Sequence, residues 1–473
     1  MIKRRKQSKE NKVKVKKAFE ASSFYHGIKI ILFIAIIISL GLAVKPLFKG
    51  SPGASQGEDH DPDSHVGKKI EQDVYEEFLI EAFDKIKANY WETITDEQLV
   101  LLYKAAAEKV IELPLAIETN DKAGLLNMIN EATKDMTEEK KKEFIVNAVQ
   151  VAIVNLQPFG RSGLFTTKDE QVLRDTVANV DRSINLYDEL DIDESSSQEE
   201  IKNAYEEKKE SLDNIIADEA SSEEAKKEAE GKKEQIDRAF ETLANEAKRE
   251  NYDEAGVEST VSYEFLRDDI FYIHLEKMSP TTFDEFQAAT IEVDKGDELD
   301  TLILDLRANL GGAIDLMQWF LGPFIGLDQY AYEFYHRGEK EPFKTKIGWM
   351  PSLVRYKKVI VLIDGATQSS AEIMAATLKK YNVGVVVGTP TRGWGTVENT
   401  FPLDTKIDEQ ENYSLFLVHS VTLRDDGELI EGRGVDPHIN INSPDWQEQL
   451  YAYIPSDRVV SAVQEALEIE VGQ

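Results

Sequence analysis

The chain has 473 residues, 41% of them hydrophobic and 9% aromatic, enough for several cores and too many for a wholly disordered chain. Its 55 Lys and Arg against 88 Asp and Glu give a formal net charge of −33, which argues against general nucleic-acid binding. It has no cysteine, which excludes disulfide frameworks, thiolate metal sites and a cysteine nucleophile, and its seven histidines show no paired ligand spacing.

Residues 1–29 carry ten Lys or Arg, among them Lys3, Arg4, Arg5 and Lys6, against Glu10 and Glu20. An apolar run follows from Ile30 to Val44, extended by Ile28 and a snorkelling Lys29 toward the roughly 20 residues of a span. A basic arm before an apolar core fits a signal peptide or a signal anchor. No small-residue cleavage site stands out, and Lys45 and Lys49 follow at once. An uncleaved anchor over residues 30–47 is therefore predicted over a cleaved signal peptide, and the polar basic arm argues against a buried core helix. By the positive-inside rule the basic arm stays in the cytoplasm. The bulk of the chain is then extracytoplasmic, on a single-pass cell-membrane protein. Residues 48–67, rich in Gly, Ser, Pro and Asp, read as a flexible linker. There His60 and His65 with Asp59, Asp61 and Asp63 could meet a cation, but a solvated tether is much the better explanation.

Residues 68–183 read as helical. Val74, Phe78 and Ala82, then Phe83, Ile86 and Tyr90, recur at helical spacing. Thr95 starts a helix that Leu99 to Ile111 fills and Pro114 ends, and a third covers about 137–156. A turn-rich segment follows from Gln157 to Thr166. Residues 184–257 are helical and highly charged. Glu199–Asn214 and Glu224–Asn245 form two amphipathic helices with Ile201, Ala204, Tyr205, Leu212, Ile236, Phe240 and Leu243 between them. From about 261 the texture changes to β-rich runs: Ile270–Leu275, Thr301–Leu306, Lys358–Asp364, Val383–Gly388 and Leu415–Leu423. Their alternation with helical patterns predicts an α/β domain with a mixed sheet over 258–473. Ser456–Ile469 reads as a closing helix.

The strand Val359–Asp364 runs into Gly365-Ala366-Thr367-Gln368-Ser369-Ser370-Ala371-Glu372 and then a helix through Lys380. A serine where a strand turns into a helix can present its hydroxyl beside unpaired helix N–H groups. That suits a nucleophile whose carbonyl substrate becomes an oxyanion. Ser369 and Glu372 also have the spacing of a capping box, so spacing alone leaves both readings open.

Four segments resemble, in the same order, the catalytic domain of the C-terminal-processing (tail-specific) serine peptidases. They are Tyr272–Glu276 with Thr282–Phe286, Leu302–Gly312 (LILDLRANLGG), Gly365–Gly395, and Val421–Pro437. Phe83–Trp91 and Leu156–Phe165 resemble the helix and turn of that family's first part. The resemblance implies a ClpP/crotonase-like α/β domain acting on protein or peptide substrates through a Ser–Lys dyad. Carried over by residue, it implies Ser369 as nucleophile and the N–H groups of Gly311 and Ser370 as oxyanion hole. The lysine should stand 25 residues after the serine, in Gly-Lys-Gly; this chain has Gly393-Trp394-Gly395. Indole accepts no proton. The family's orienting glutamine, four positions on, is Glu398 here.

Three readings follow. The domain is a catalytically dead binding or scaffolding pseudopeptidase, the reading the missing base favours. Or another group is the base, Glu398 first; Glu372, Lys379, Lys380, Arg392 and His419 each have a helix-face, turn or strand explanation. Or slow hydrolysis persists from the oxyanion hole and binding alone. Asp305 and Arg307 are expected to hold the sheet, and Arg433 to pair with a nearby acid. No signal for a metal or organic cofactor is present.

Residues 185–256 resemble a J domain, through Asn185–Ile192, Glu199–Tyr205, Ile236–Leu243 and Lys248–Asp253. The module stands where the peptidase family usually carries a PDZ domain. The His-Pro-Asp that stimulates DnaK-type chaperones should fall near Asp213-Asn214-Ile215 and is absent. Glu206, Glu207 and Glu210 make the second helix acidic where chaperone binders are basic. A J-like module without a DnaK-type partner is expected, either as a protein-interaction adaptor or as an inert spacer. The whole is multi-domain: a membrane anchor, all-α regions including the J-like module, and an α/β peptidase-like domain that acts on or binds protein tails.

Overall fold

The computed structural model describes residues 73–218, 221–294, 299–424 and 426–471. The expected basic arm, anchor and linker lie outside the described residues. Among the described residues no helix is long and apolar enough to cross a membrane. The chain forms two compact units.

One unit runs up to Thr167 and adds Asn399–Val418. It holds α1 (Val74–Asn89), α2 (Asp96–Ile111), α3 (Lys122–Thr133) and α4 (Glu138–Val154). Asp73, Thr95, Asp121 and Thr137 start these helices, each side chain accepting a first-turn N–H. Phe78, Phe83, Ile86, Leu99, Tyr103, Leu125 and Ile145 are fully buried among them. The three helical stretches expected before 156 are thus four. In α3, Leu125, Met128 and Ile129 supply a short apolar stripe. The turn after α4 leads into β1 (Gly163–Thr166), antiparallel to the first half of β10 (Tyr413–Thr422), with Gly163 opposite Phe416. Phe165 stacks on Phe416 with centroids 4.7 Å apart.

The other unit comprises Lys168–Glu398 and continues from His419. Its centre is a six-stranded sheet of β2 (Val261–Arg267), β3 (Ile270–Leu275), β4 (Thr301–Asp305), β7 (Lys358–Ile363), β8 (Val385–Gly388) and β11 (Ile439–Asn440). The order is β11-β8-β7-β4-β3-β2, parallel except for β2. Ile273 faces Leu304 and Leu304 faces Val361 in register. Both faces are covered, so the central strands are mostly apolar runs. On one face α10 (Thr282–Glu292) and α14 (Ser370–Lys380) bury Phe286 and Met374 against Phe271, Leu302 and Leu304. On the other, α15 (Trp446–Tyr453) and α16 (Asp457–Glu468) bury Leu450 and Val463 against Tyr272, Ile303 and Ile360. Short helices α11 (Met317–Phe320), α12 (Gly322–Ile325) and α13 (Pro351–Val354) fill the connections around the hairpin β5 (Tyr330–His336) and β6 (Glu339–Lys344). Thr422, near the end of β10, faces Phe334 of β5, and β9 (Thr396–Pro402) precedes β10.

Asp305 and Arg307 do hold this sheet. Asp305, fully buried at the end of β4, accepts from the Tyr272 hydroxyl at 2.8 Å and from the Arg307 guanidinium at 2.6 Å. Arg307 also donates to the carbonyls of Ala466, Leu467 and Ile469 at the end of α16. Arg433 pairs with Glu428 at 3.1 Å.

After α5 (Thr167–Ala178) comes the helical insert: α6 (Leu186–Glu189), α7 (Gln198–Ala217), α8 (Glu223–Leu243) and α9 (Glu246–Ala255). Ile201, Ile236 and Leu243 are buried as expected, with Tyr205, Leu212 and Phe240 packed against them. Ala204 is not part of that cluster. Tyr205 stacks on Phe240 at 4.0 Å. Helix α7 runs three residues past its expected end, so Asp213, Asn214 and Ile215 are helical, and Asp213 pairs with Lys233 of α8.

Candidate active site

The site is built at the C-terminal end of β7. Asp364 Oδ1 accepts the N–H groups of Ala366 at 3.0 Å, Thr367 at 2.8 Å and, from the loop after β4, Ala308 at 3.1 Å. A short carboxylate folding the chain over itself in this way is the usual physics of an Asx turn. The Thr367 hydroxyl donates to Leu306 O at 2.7 Å. The turn that delivers Ser369 is thereby fixed to the loop that delivers Gly311.

Ser369 has φ 58° and ψ −126°, a conformation that costs a non-glycine residue about 1–3 kcal/mol. It is 3% exposed, and its hydroxyl makes no hydrogen bond among the described residues. The hydroxyl of the fully buried Ser370 makes none either.

Gly311 packs directly on this turn. A Cβ at 311 would lie 2.6 Å from Ser369 Cβ and 3.1 Å from its hydroxyl oxygen, and φ there is +81°. Only glycine fits. The expected oxyanion-hole N–H of Gly311 donates to Asn309 Oδ1 at 2.8 Å. Asn309 is itself held by Leu275 O at 2.7 Å. That donor is engaged inside the protein and must be released to meet a substrate oxygen.

Glu372 is the hub of the site. Its fully buried carboxylate accepts the N–H groups of Ser369, Gly393 and Trp394, each at 2.8 Å, and the Thr391 hydroxyl. Burial raises its pKa above the ordinary carboxylate value, against the pull of these hydrogen bonds. All four donors converge on two oxygens, so Glu372 is a staple between the serine turn and the 391–394 loop, and a poor candidate base.

Trp394 is 6% exposed, with the Arg392 guanidinium 5.9 Å from its ring centroid. Gly393 and Gly395 flank Trp394 and let the loop pack closely on the 430–434 backbone. A Cβ at Gly395 would meet Glu431 N at 2.4 Å. Glu398 is 1% exposed on β9 and accepts from the Thr396 hydroxyl at 2.5 Å. The remaining candidate bases have structural duties. Lys379 donates to Asp436 O at 2.9 Å and Lys380 lies 4.0 Å over the Tyr330 ring. His419 stacks on His336 at 4.4 Å, and its pKa is lowered to about 4 by burial and by the fields of His336 and Arg337. The structure thus brings Ser369, Ser370, Gly311, Glu372 and Trp394 together. Thr391, Asn309 and Asp364 belong to the same construction and were missed; their neighbours carry no local pattern that reveals it.

This β7–serine–α14 geometry lies inside a segment with a known counterpart. Residues 269–441 match the model of peptidase family S41. The chain is 31% identical over 183 residues to the "Carboxy-terminal-processing protease" of Bartonella bacilliformis, covering 37% of this chain and 39% of that protein. It is 30% identical over 179 residues to "Carboxy-terminal processing protease CtpB" of Bacillus subtilis, covering 37% and 34%. The chain therefore covers well under half the length of these relatives. Among solved structures, a lipoprotein from Streptococcus agalactiae is 12% identical with a TM-score of 0.42, covering 82% of this chain and 99% of that one. Residues 269–441 are thus similar to peptidase family S41, and the relatives matched bear the name of carboxy-terminal processing proteases.

Proposed function

We propose that this chain is a catalytically impaired S41-type peptidase homologue that binds protein tails or peptides at the Ser369 site. One observation carries the reading: among the described residues the Ser369 hydroxyl has no hydrogen-bond partner, and Trp394 stands where the resemblance places the proton-accepting lysine. A serine without a base is a weak nucleophile. The strained turn at Ser369 and its contact with Gly311 are kept, and they favour a retained binding geometry. The basic arm 1–29 and the apolar run 30–44 support a single-pass anchor over residues 30–47 that holds the site outside the cytosol. Residues 184–257 act, in this reading, as a J-like adaptor rather than as a partner of DnaK-type chaperones.

The test is a fluorophosphonate serine probe on the full chain from about pH 6 to 9, where side-chain bases tuned for catalysis operate. No labelling of folded protein that still binds peptides supports the proposal. Labelling that Ser369→Ala abolishes overturns the impairment. If Glu398→Gln also abolishes it while the protein stays folded, Glu398 is the substitute base.

A further inference from the structure

A cleft of about 880 Å³ opens between the helical insert and the S41-like domain, with walls from α5, α8, β2 and β3. Its ion pairs account for only part of its charge. Arg182 pairs with Asp175, and Arg238 with Glu258 and Asp181. Glu234, Asp237, Glu241, Glu276 and Glu470 also line the cleft. Lys248 acts on Glu241 and Lys277 on Glu276 through space, which leaves Glu234, Asp237 and Glu470 as the acids whose charge the cleft's own ion pairs do not offset among the described residues. Lys277 also lines the cleft. Its ammonium is taken up by the wall, donating to Asn179 Oδ1 at 2.8 Å and Thr176 O at 3.2 Å.

Two more features narrow the ligand. Among the described residues no three acidic or histidine side chains converge closely enough to hold a metal ion. The carboxylates are spread along the walls, which suits cations carried on separate side chains. Leu310 also lines the cleft, and the next residue is Gly311, which packs on Ser369. The cleft thus reaches the loop at the candidate site. Val172, 51% exposed, and Val180 add apolar wall.

We infer that this cleft binds an extended peptide segment bearing Lys or Arg side chains and leads it to Ser369. The inference rests on the peptide-binding reading above and gives it a substrate class. Attraction between exposed charges of this kind is modest per pair and weakens with salt. The selectivity comes from several carboxylates acting along one segment.

Fluorescence anisotropy on the full chain tests it, with labelled lysine-rich, uncharged and glutamate-rich peptides of equal length. The lysine-rich peptide is expected to bind about tenfold tighter than the glutamate-rich one. Glu234→Lys with Glu276→Lys should erase that preference, whereas Glu92→Lys with Glu118→Lys, reversing charge in the other unit, should leave it. Glu276→Gln, which removes one charge without inverting it, should cost about twofold to threefold and serves if the double variant does not fold. Equal affinity for all three peptides overturns the charge selectivity and leaves the peptide-binding reading standing. A preference that the Glu92 and Glu118 changes weaken just as much overturns the cleft as its source. Absence of binding by any peptide removes both.

Discussion

One carboxylate oxygen, Oε2 of Glu372, holds the backbone N–H of Trp394 at the same 2.8 Å at which it holds that of Ser369. The position of the missing base and the candidate nucleophile are therefore set by a single buried side chain. Glu372→Gln keeps the shape but offers one accepting oxygen and a donor pair that faces N–H groups. Orphaned buried donors cost about 1–3 kcal/mol each. Urea unfolding should show a loss of about 2–5 kcal/mol in this variant.

Trp394→Lys should restore a proton acceptor at the place the resemblance assigns it. General-base catalysis is typically worth about 10²–10⁴-fold. Fluorophosphonate labelling of Ser369 in this variant should rise at least about tenfold over the natural chain, and Ser369→Ala should remove it. Unchanged labelling in a folded variant would mean the turn itself is inactive.

Gly311→Ala and Gly427→Ala separate backbone strain from contact. Both glycines have φ near +80°, but a Cβ at 427 meets nothing within 4 Å, whereas one at 311 strikes Ser369. Thermal unfolding should show a cost of about 1 kcal/mol for Gly427→Ala. Gly311→Ala should cost more and also abolish peptide binding.

Arg307→Ala leaves Asp305 buried with the Tyr272 hydroxyl and without its cation. Removing one partner of a buried pair costs about 3–5 kcal/mol, readable in urea unfolding. Asp305→Asn should be milder, since an amide still accepts from Tyr272.

His419 has its folded pKa lowered to about 4 from an ordinary 6.5, so below 6.5 the unfolded chain binds the extra proton. Its contribution to stability is complete above pH 6.5 and is lost as pH falls toward 4. The melting temperature should fall over that window in the natural chain and fall less in His419→Gln.

The elements that the sequence revealed are those with one dominant cause. Strands β3, β4 and β7 are mostly apolar runs because both sheet faces are covered, and α7 has a capping box at Ser197 and Glu200. Elements with weak local signals escaped. In α5 only Leu173 and Val177 are buried, and β6 exposes nearly every residue. Strands β2 and β9 mix exposed and buried positions, and β5 buried and half-buried ones, without clean alternation. At the site, Ser369 and Gly311 were legible through motif, but the duty of Glu372 was not. Its partners Thr391, Gly393 and Trp394 lie 19 to 22 residues away, and a capping box explained it locally. The engagement of the Gly311 N–H by Asn309 is likewise a matter of side-chain direction, which spacing cannot give.

The clasp between Arg307 and the end of α16 makes the last helix a remote brace for the serine pocket. Arg307 stands two residues before Asn309, the residue that grips Gly311. A tag fused after residue 471 leaves the clasp whole. Trimming back past Ala466 takes away all three carbonyls that Arg307 uses, and the slack passes along four residues of backbone to the floor of the pocket. Damage at the far end of the sequence would thus present as a defect in ligand capture.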